Sequence, residues 1–198
     1  MSKKKDKLIM KVELEFAEPL LGTLPGEEKL AEEFVMSKHP DGVQEDEKVS
    51  LTDEMKKFSS YFARDDKKRP ILWDYQIKGF FKDACSMMRR VAQVDELKAH
   101  KKIIDGLIFV TPRQIELKLS GKLYFTERPL RISTPKGERT ALARSETAPA
   151  GTKIRIEIIL LKPDLKKYVK TWFDYGLLRG LGQWRNSGMG RFKWREVR

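Results

Sequence analysis

The twenty residues "YGLLRGLGQWRNSGMGRFKW" near the C-terminal end hold five glycines, three arginines, a lysine and two tryptophans. Gly180 and Gly182 form one Gly-x-Gly pair and Gly188 and Gly190 a second, with Arg179, Arg185 and Arg191 around and between them. Small residues let a backbone press close to a bulky anion, successive N–H groups can cradle it, arginines add charge, and Trp184 offers a face for stacking. That set of groups suits the phosphates and bases of a single strand. The plainer alternative stays open: the glycines end a helix and bend the chain into its last strand. Dinucleotide and P-loop signatures are excluded by polarity. Those loops follow a strand and open a helix whose N-terminus receives the phosphate. This segment follows a helix, enters the strand-like "RFKWREV", and contains no Gly-Lys-Ser/Thr.

Other chemistry is sparse. No Ser-His-Asp, Cys-His or paired-carboxylate constellation stands out. With one cysteine, Cys85, no internal disulfide can form, and with only His39 and His100 no zinc-type spacing can be assembled. Cys85 falls in an apolar helical pattern and reads as packing. The expectation is a binding protein with no catalytic residue, metal or cofactor.

The elements that must position the glycine segment are legible from periodicity. "KLIMKVELEF" alternates Met10, Val12, Leu14 and Phe16 against Ile9, Lys11, Glu13 and Glu15, the pattern of a half-buried strand. In "DYQIKGFFKDACSMMRRVAQ", Ile77, Phe80, Phe81, Ala84, Met88 and Val91 recur at three- and four-residue spacing, predicting a helix with a core-facing stripe. Its opposite face carries Lys78, Lys82, Arg89 and, obliquely, Arg90, with Asp83 as the one counter-charge along it. "DGLIFVTPRQIELKL" reads as strand, Pro break, strand, and "KLYFTERPLRIS" as a strand that Pro129 confines to an edge or an end. After an "APAGT" turn, Ile154, Ile156, Ile158 and Leu160 make one face of a strongly alternating strand. A second helix follows in "KPDLKKYVKTWFDYGLL", capped by Asp164, with Leu165, Tyr168, Val169, Trp172 and Phe173 inward.

From Glu27 to Glu54 acids outnumber bases and "KHPDGVQEDEK" lacks apolar periodicity. Residues 27–69 therefore read as an acidic insertion flanked by two short helices, "GEEKLAEEFVMSK" and "LTDEMKKFSSYFARD", within a single domain spanning residues 1–198. The order strand, insertion, helix, strands, helix, strand predicts an α+β fold. It is a ferredoxin-like, RRM-like antiparallel sheet with two main helices on one face, elaborated by the insertion and by extra β-hairpins. The open sheet face of such folds is a frequent site for single strands.

Composition agrees with a polyanionic partner. The 198 residues carry 41 Lys and Arg against 29 Asp and Glu, a net charge of +12. No run of about 18 apolar residues is long enough to span a membrane, and no signal-peptide pattern follows "MSKKKDK". A cytoplasmic location is expected.

In this order, these segments resemble the RAMP superfamily, the repeat-associated RNA-binding proteins of CRISPR systems. A glycine-rich loop between the last helix and last strand of a ferredoxin-like domain is similar to the superfamily's signature. "ILWDYQIKGFFKDACSMMRR" is similar to the segment in which Lys-Gly, here Lys78-Gly79, opens a helix that tracks the guide RNA. "PKGERTALARSETAPAGTKIRIEI" and "KVELEFAEPLLGTLPG" resemble stretches of the backbone-subunit branch. The resemblance implies an RNA-binding backbone subunit of an antiviral CRISPR effector. It would grip guide-like single-stranded RNA through Lys78, Lys82, Arg89 and the loop from Gly180 to Arg191. Such subunits stack along the strand beside other effector subunits, and an inserted thumb-like hairpin kinks the guide.

The resemblance also raises two kinds of cleavage. Some backbone subunits cut with a loop aspartate and a divalent metal, for which Asp41, Asp46, Asp53, Asp65 and Asp66 are the candidates by location. Other members process precursor RNA with a histidine, for which His100 in "KAHKKIID" is the candidate. Nothing selects among the aspartates and His100 lacks a defined partner, so binding without catalysis is the leading expectation. A stand-alone, viral-type coat for single-stranded DNA or RNA, and an endoribonuclease, are the alternatives.

Overall fold

The computed structural model describes residues 7–25, 59–92, 97, 99–134 and 137–198. Along the chain run β1 (Leu8–Phe16), β2 (Leu20–Leu21), β3 (Leu24–Pro25), β4 (Ser59–Tyr61), β5 (Ala63–Arg64) and β6 (Pro70–Trp73). Helices α1 (Asp74–Ala92) and α2 (His100–Leu107) follow, then β7 (Ile108–Thr111), β8 (Gln114–Glu116), β9 (Tyr124–Thr134), β10 (Gly137–Ala148) and β11 (Lys153–Leu160). A 3-10 turn, Pro163–Leu165, leads into α3 (Lys166–Arg179), and β12 (Phe192–Val197) closes the chain.

The central sheet has the order β12-β1-β11-β7 with every neighbouring pair antiparallel. Alternation does what it predicts here. Met10, Val12, Leu14, Phe16, Ile154, Ile156, Ile158 and Leu160 are buried on one face, where α1 and α3 pack against each other and against strands of the sheet. Aromatic rings fill the space between the layers. Phe81 meets Phe173 edge-on at 5.1 Å and lies 5.5 Å from Trp172, and Phe80 meets Phe192 at 5.3 Å. Offset and edge-to-face ring pairs of this kind add to plain burial, so truncating Phe81, which is fully buried, costs about 3–5 kcal/mol.

Around this sheet lie a second one, β2-β10-β4-β3 with β9 paired to β10, and a small third, β5-β6-β8. Pro129 sits on β9, which pairs only with β10 among the described strands, as its missing N–H requires. The fold is mixed α+β with largely antiparallel sheets, the one parallel pairing among the described strands being the short contact of β4 with β10.

Beside the two main helices expected, the described residues contain a third, α2, which turns Ile104 inward from an otherwise basic stretch. Three expectations are corrected. The helix expected over "LTDEMKKFSSYFARD" is, in its described part, the strands β4 and β5. Ser59 and Ser60 pair in register with Arg144 and Ser145, and the Ser60 and Ser145 hydroxyls meet at 2.8 Å, a tertiary pairing that outweighs local propensity. Residues 27–58 of the expected insertion lie outside the described residues. Val91, placed in the core-facing stripe by its spacing, is 79% exposed at the end of α1. Asp164 makes no side-chain cap. The 3-10 turn, with Pro163 at its start, leads into α3 instead. No described helix is long and apolar enough to cross a membrane.

Candidate nucleic-acid interface

The start of α1 is held by Gln76, whose Oε1 accepts the Trp73 N–H at 2.7 Å while its Nε2 donates to Thr23 Oγ1 at 2.7 Å. The first bond satisfies one of the orphan donors at a helix N-terminus. Fixed this way, the outward side of the first half of α1 presents Lys78, Gly79, Lys82 and Asp83.

The glycine loop comes to meet it. Gly180 leaves α3 with φ 74°, a conformation open to glycine at little cost. The loop then closes on itself at a neck, where the Leu181 N–H donates to the Gly190 carbonyl at 2.9 Å and the Gly190 N–H donates to Pro19 at 2.8 Å. A Cβ on Gly190 would sit inside the Leu181 carbonyl, and one on Gly180 would lie 2.6 Å from the Met189 oxygen. Gly182 and Gly188 share the left-handed backbone. At the tip the Gly188 N–H donates to the Arg185 carbonyl, and at the start of the loop the Gly180 N–H donates back to the Gly176 carbonyl. The amides of Gly180, Gly188 and Gly190 are thus taken up within the protein. At these positions the glycines build the loop, and in this conformation their amides are not free to form the expected anion nest.

Those side chains are tied to α1. Arg185 Nη1 and Arg179 Nε donate to Asp83 Oδ2 at 2.7 and 3.0 Å, and Arg179 Nη1 reaches Asn186 at 2.9 Å. Loop and helix together enclose an open cleft of about 650 Å³. Lys78, Gly79, Lys82, Gly182 and Arg185 line it, as do Thr23, Asp74, Asp83 and Asp105. Four of the sequence-predicted residues, from opposite ends of the chain, therefore converge on one site.

Charge in the cleft is balanced. Lys78, Lys82 and Arg185 face Asp74, Asp83 and Asp105. Lys82 Nζ sits 2.7 Å from Asp105 Oδ1, and Lys78 donates to the Asp105 carbonyl at 3.3 Å while its ammonium lies over the Phe109 ring. Burial pulls the Lys78 pKa below its ordinary value, with the charges of Asp105 and Asp74 pulling it back up. Sequence reading missed Asp105, because α2 brings it from another part of the chain.

Two glycines in this region have no structural reason to be glycine. Gly79, in the body of α1, and Gly106, in the last turn of α2, have nothing within 4 Å of where a Cβ would stand, and neither has a left-handed backbone. Both are exposed. A helical glycine costs about 0.5–1 kcal/mol relative to alanine, so the fold alone would be better served by a larger residue.

The remaining predicted residues fall elsewhere. Arg89 lies 3.1 Å from His100 Nδ1 and Arg90 is exposed; neither lines the cleft. Arg191 is exposed with its guanidinium beside Gly188. Trp184 is half-buried in the left-handed region at φ 59°, with the Arg128 guanidinium 4.0 Å from its ring centre. Asp65 is a turn clamp, accepting the Lys67 and Arg69 N–H groups and the Arg69 side chain. Asp66 is exposed, and Asp41, Asp46 and Asp53 lie outside the described residues. Among the described residues no group of three His, Cys, Asp or Glu could hold a metal ion.

The sheet face away from the helices carries a salt-bridge lattice. Glu13 lies directly between Arg155 and Arg195 on the neighbouring strands. It accepts Arg155 Nε at 2.6 Å and Arg195 Nε at 2.9 Å. These bonds, Arg155 first, hold its carboxyl below the usual range.

At the level of sequence, no family model matches the chain and no curated protein is similar to it. Solved structures are. One is a chain in the cryo-EM structure of the type III-B Cmr-beta bound to cognate target RNA, with a TM-score of 0.57 and 14% identity over 97% of this chain; the match covers 60% of that chain's length. Another is a chain of a type IV-B CRISPR complex, with a TM-score of 0.52 and 10% identity, covering 96% of this chain and 90% of that one. The likeness to CRISPR-associated proteins that the ordered motifs suggested is present, as a likeness of fold.

Proposed function

We propose that this chain binds single-stranded RNA along its phosphate backbone, without reading sequence, as a backbone-type subunit of a CRISPR-like effector assembly. The observation that carries the proposal is Gly79: a solvent-facing helical glycine that no neighbouring atom requires, flanked by Lys78 and Lys82, at the floor of a cleft walled by the glycine loop. A missing side chain at such a place lets a ligand backbone lie against the helix. The sheet order β12-β1-β11-β7 with helices on one face supports a ferredoxin-like reading, and two solved structures of similar fold are CRISPR complexes, one of them bound to RNA.

In this reading the resting cleft is pre-neutralised. Phosphates take Lys82 from Asp105 and draw Lys78 out of its partly buried seat, while Asp83 keeps Arg179 and Arg185 fixed so that the loop is already formed when RNA arrives. RNA neighbours along the strand would be covered by further copies or by other subunits, in the cytoplasm.

The test is titration of single-stranded RNA, single-stranded DNA and duplex of matched length at two salt concentrations, with bound mass read by light scattering. RNA-preferring binding that weakens steeply with salt, with several chains per long strand, is expected. Equal affinity for DNA would replace the guide-coating reading by a general single-strand coat, and no binding at low salt would overturn both.

A further inference from the structure

Arg185, which the loop supplies to the cleft, and Arg179, at the end of α3, already have a carboxylate partner, since both are bound to Asp83. Arg128, on β9, has no carboxylate partner among the described residues. Its guanidinium stacks on Trp184 at 4.0 Å and Nη2 donates a long bond, 3.4 Å, to Gln183 Oε1. Nε is buried with no hydrogen-bond partner, and among the described residues no carboxylate pairs with this side chain. Burial alone shifts its pKa, downward, with no neighbouring charge to offset it. A partly desolvated cation without a counter-charge is unfavourable in the free protein. The neutral amide of Gln183 and the indole face do not supply that charge.

Its position gives the reason to keep it. Trp184 and Gln183 stand in the chain between Gly182 and Arg185, which line the cleft, so Arg128 reaches from the β9–β10 hairpin to the edge of the cleft. Stacking a guanidinium on an aromatic ring holds its plane while leaving N–H donors at the edge for a planar or tetrahedral oxyanion. The left-handed backbone of Trp184, uncommon for a bulky residue, belongs to the same arrangement.

We propose that Arg128 is a phosphate-binding residue for the single strand, presented by Trp184 and Gln183, so that the strand leaving the cleft runs between the glycine loop and the hairpin. The inference rests on the single-strand reading of the cleft. A phosphate at the guanidinium edge supplies both the missing charge and the missing acceptor, and it alters the surroundings of Trp184.

The experiment compares wild type, Arg128→Ala and Arg128→Lys for binding of an oligouridine across a salt series. Melting temperature and tryptophan fluorescence are read on the same samples. A Trp184→Phe control assigns the signal among the four tryptophans. Arg128→Ala is expected to bind severalfold more weakly, with the slope of log K against log salt shallower by about 0.7, one phosphate contact on a single strand, and with an undiminished melting temperature. Arg128→Lys is expected to recover the slope but not the Trp184 fluorescence change. Wild-type binding together with an unchanged slope in Arg128→Ala would overturn this proposal and leave the cleft reading intact. A lowered melting temperature with unchanged binding would make Arg128 a packing residue. If wild type fails to bind the strand at all, the cleft reading falls and this one with it.

Discussion

The glycine loop and the exposed side of α1 and α2 both contain glycines beside cations, and they use them oppositely. In the loop the protein itself needs the glycines: at Gly180 and Gly190 the backbone is left-handed and carbonyl oxygens occupy the space a side chain would take. On the helices Gly79 and Gly106 face open space. The conspicuous motif is therefore architecture, a pre-formed wall, and the inconspicuous single glycine is the stronger pointer to a ligand. The charges follow the same division. Arg179 and Arg185 are tied down by Asp83, whereas the Asp105 that pairs with Lys82 has a side chain 53% exposed, which on the proposed reading lets phosphate replace it.

The contrast can be broken most directly at Gly190. Gly190→Ala must relieve a carbonyl clash and a left-handed alanine together, costing about 2–5 kcal/mol. Thermal unfolding should show the midpoint falling by about 2–4 °C per kcal/mol; an unchanged midpoint would mean the loop is not braced as described. Gly79→Ala should behave in reverse. It is expected to stabilise the fold by about 0.5–1 kcal/mol while weakening RNA binding roughly five- to a hundredfold, the equivalent of about 1–3 kcal/mol for forcing a methyl into a close contact. Improved stability with unaltered affinity would remove the main support for the cleft.

Asp105→Asn sharpens the comparison of charges. Freeing Lys82 from a surface ion pair worth about 0.2–1 kcal/mol should raise RNA affinity by a few-fold and steepen its salt dependence, as measured by fluorescence polarisation. A drop in affinity would instead make Asp105 a direct RNA contact.

The smallest effect is expected from the sheet face, and only in acid. Arg155 and Arg195 lower the Glu13 pKa from 4.5, so the folded state favours the ionised carboxylate. The stability this contributes is fully present above that value and is lost as pH falls through the lowered one. Acid titration of Glu13→Gln beside wild type should show this part of the acid sensitivity missing in the variant, with binding at neutral pH changed less than by Asp105→Asn.

Much of the architecture was legible before any coordinates. Alternation in β1 and β11 and the helical stripe from Ile77 to Met88 report burial directly, because side-chain direction along a strand or helix is set by local geometry. The reading failed where local pattern was ambiguous. Phe58, Tyr61 and Phe62 have helical spacing, yet Ser59–Tyr61 is extended because β10 and β3 offer it hydrogen-bonding partners. "KAHKKIIDGL" has too few apolar positions to declare the helix that α2 forms.

For the site, the amino-acid order alone determined which residues were available: a basic helix face at Lys78 and Lys82, a glycine loop after α3, and arginines around it. It also determined the mixed α+β class, since periodicity is a local property. Only the tertiary structure decided how those residues are spent. Asp83 binding Arg179 and Arg185, Asp105 meeting Lys82, loop amides turned inward, and Arg128 stacked on Trp184 without a counter-charge are all contacts between distant segments. Whether a cation is neutralised or free for a ligand depends on what lies within a few ångströms of it. That distance is a property of packing, and nothing in the spacing of residues along the chain encodes it.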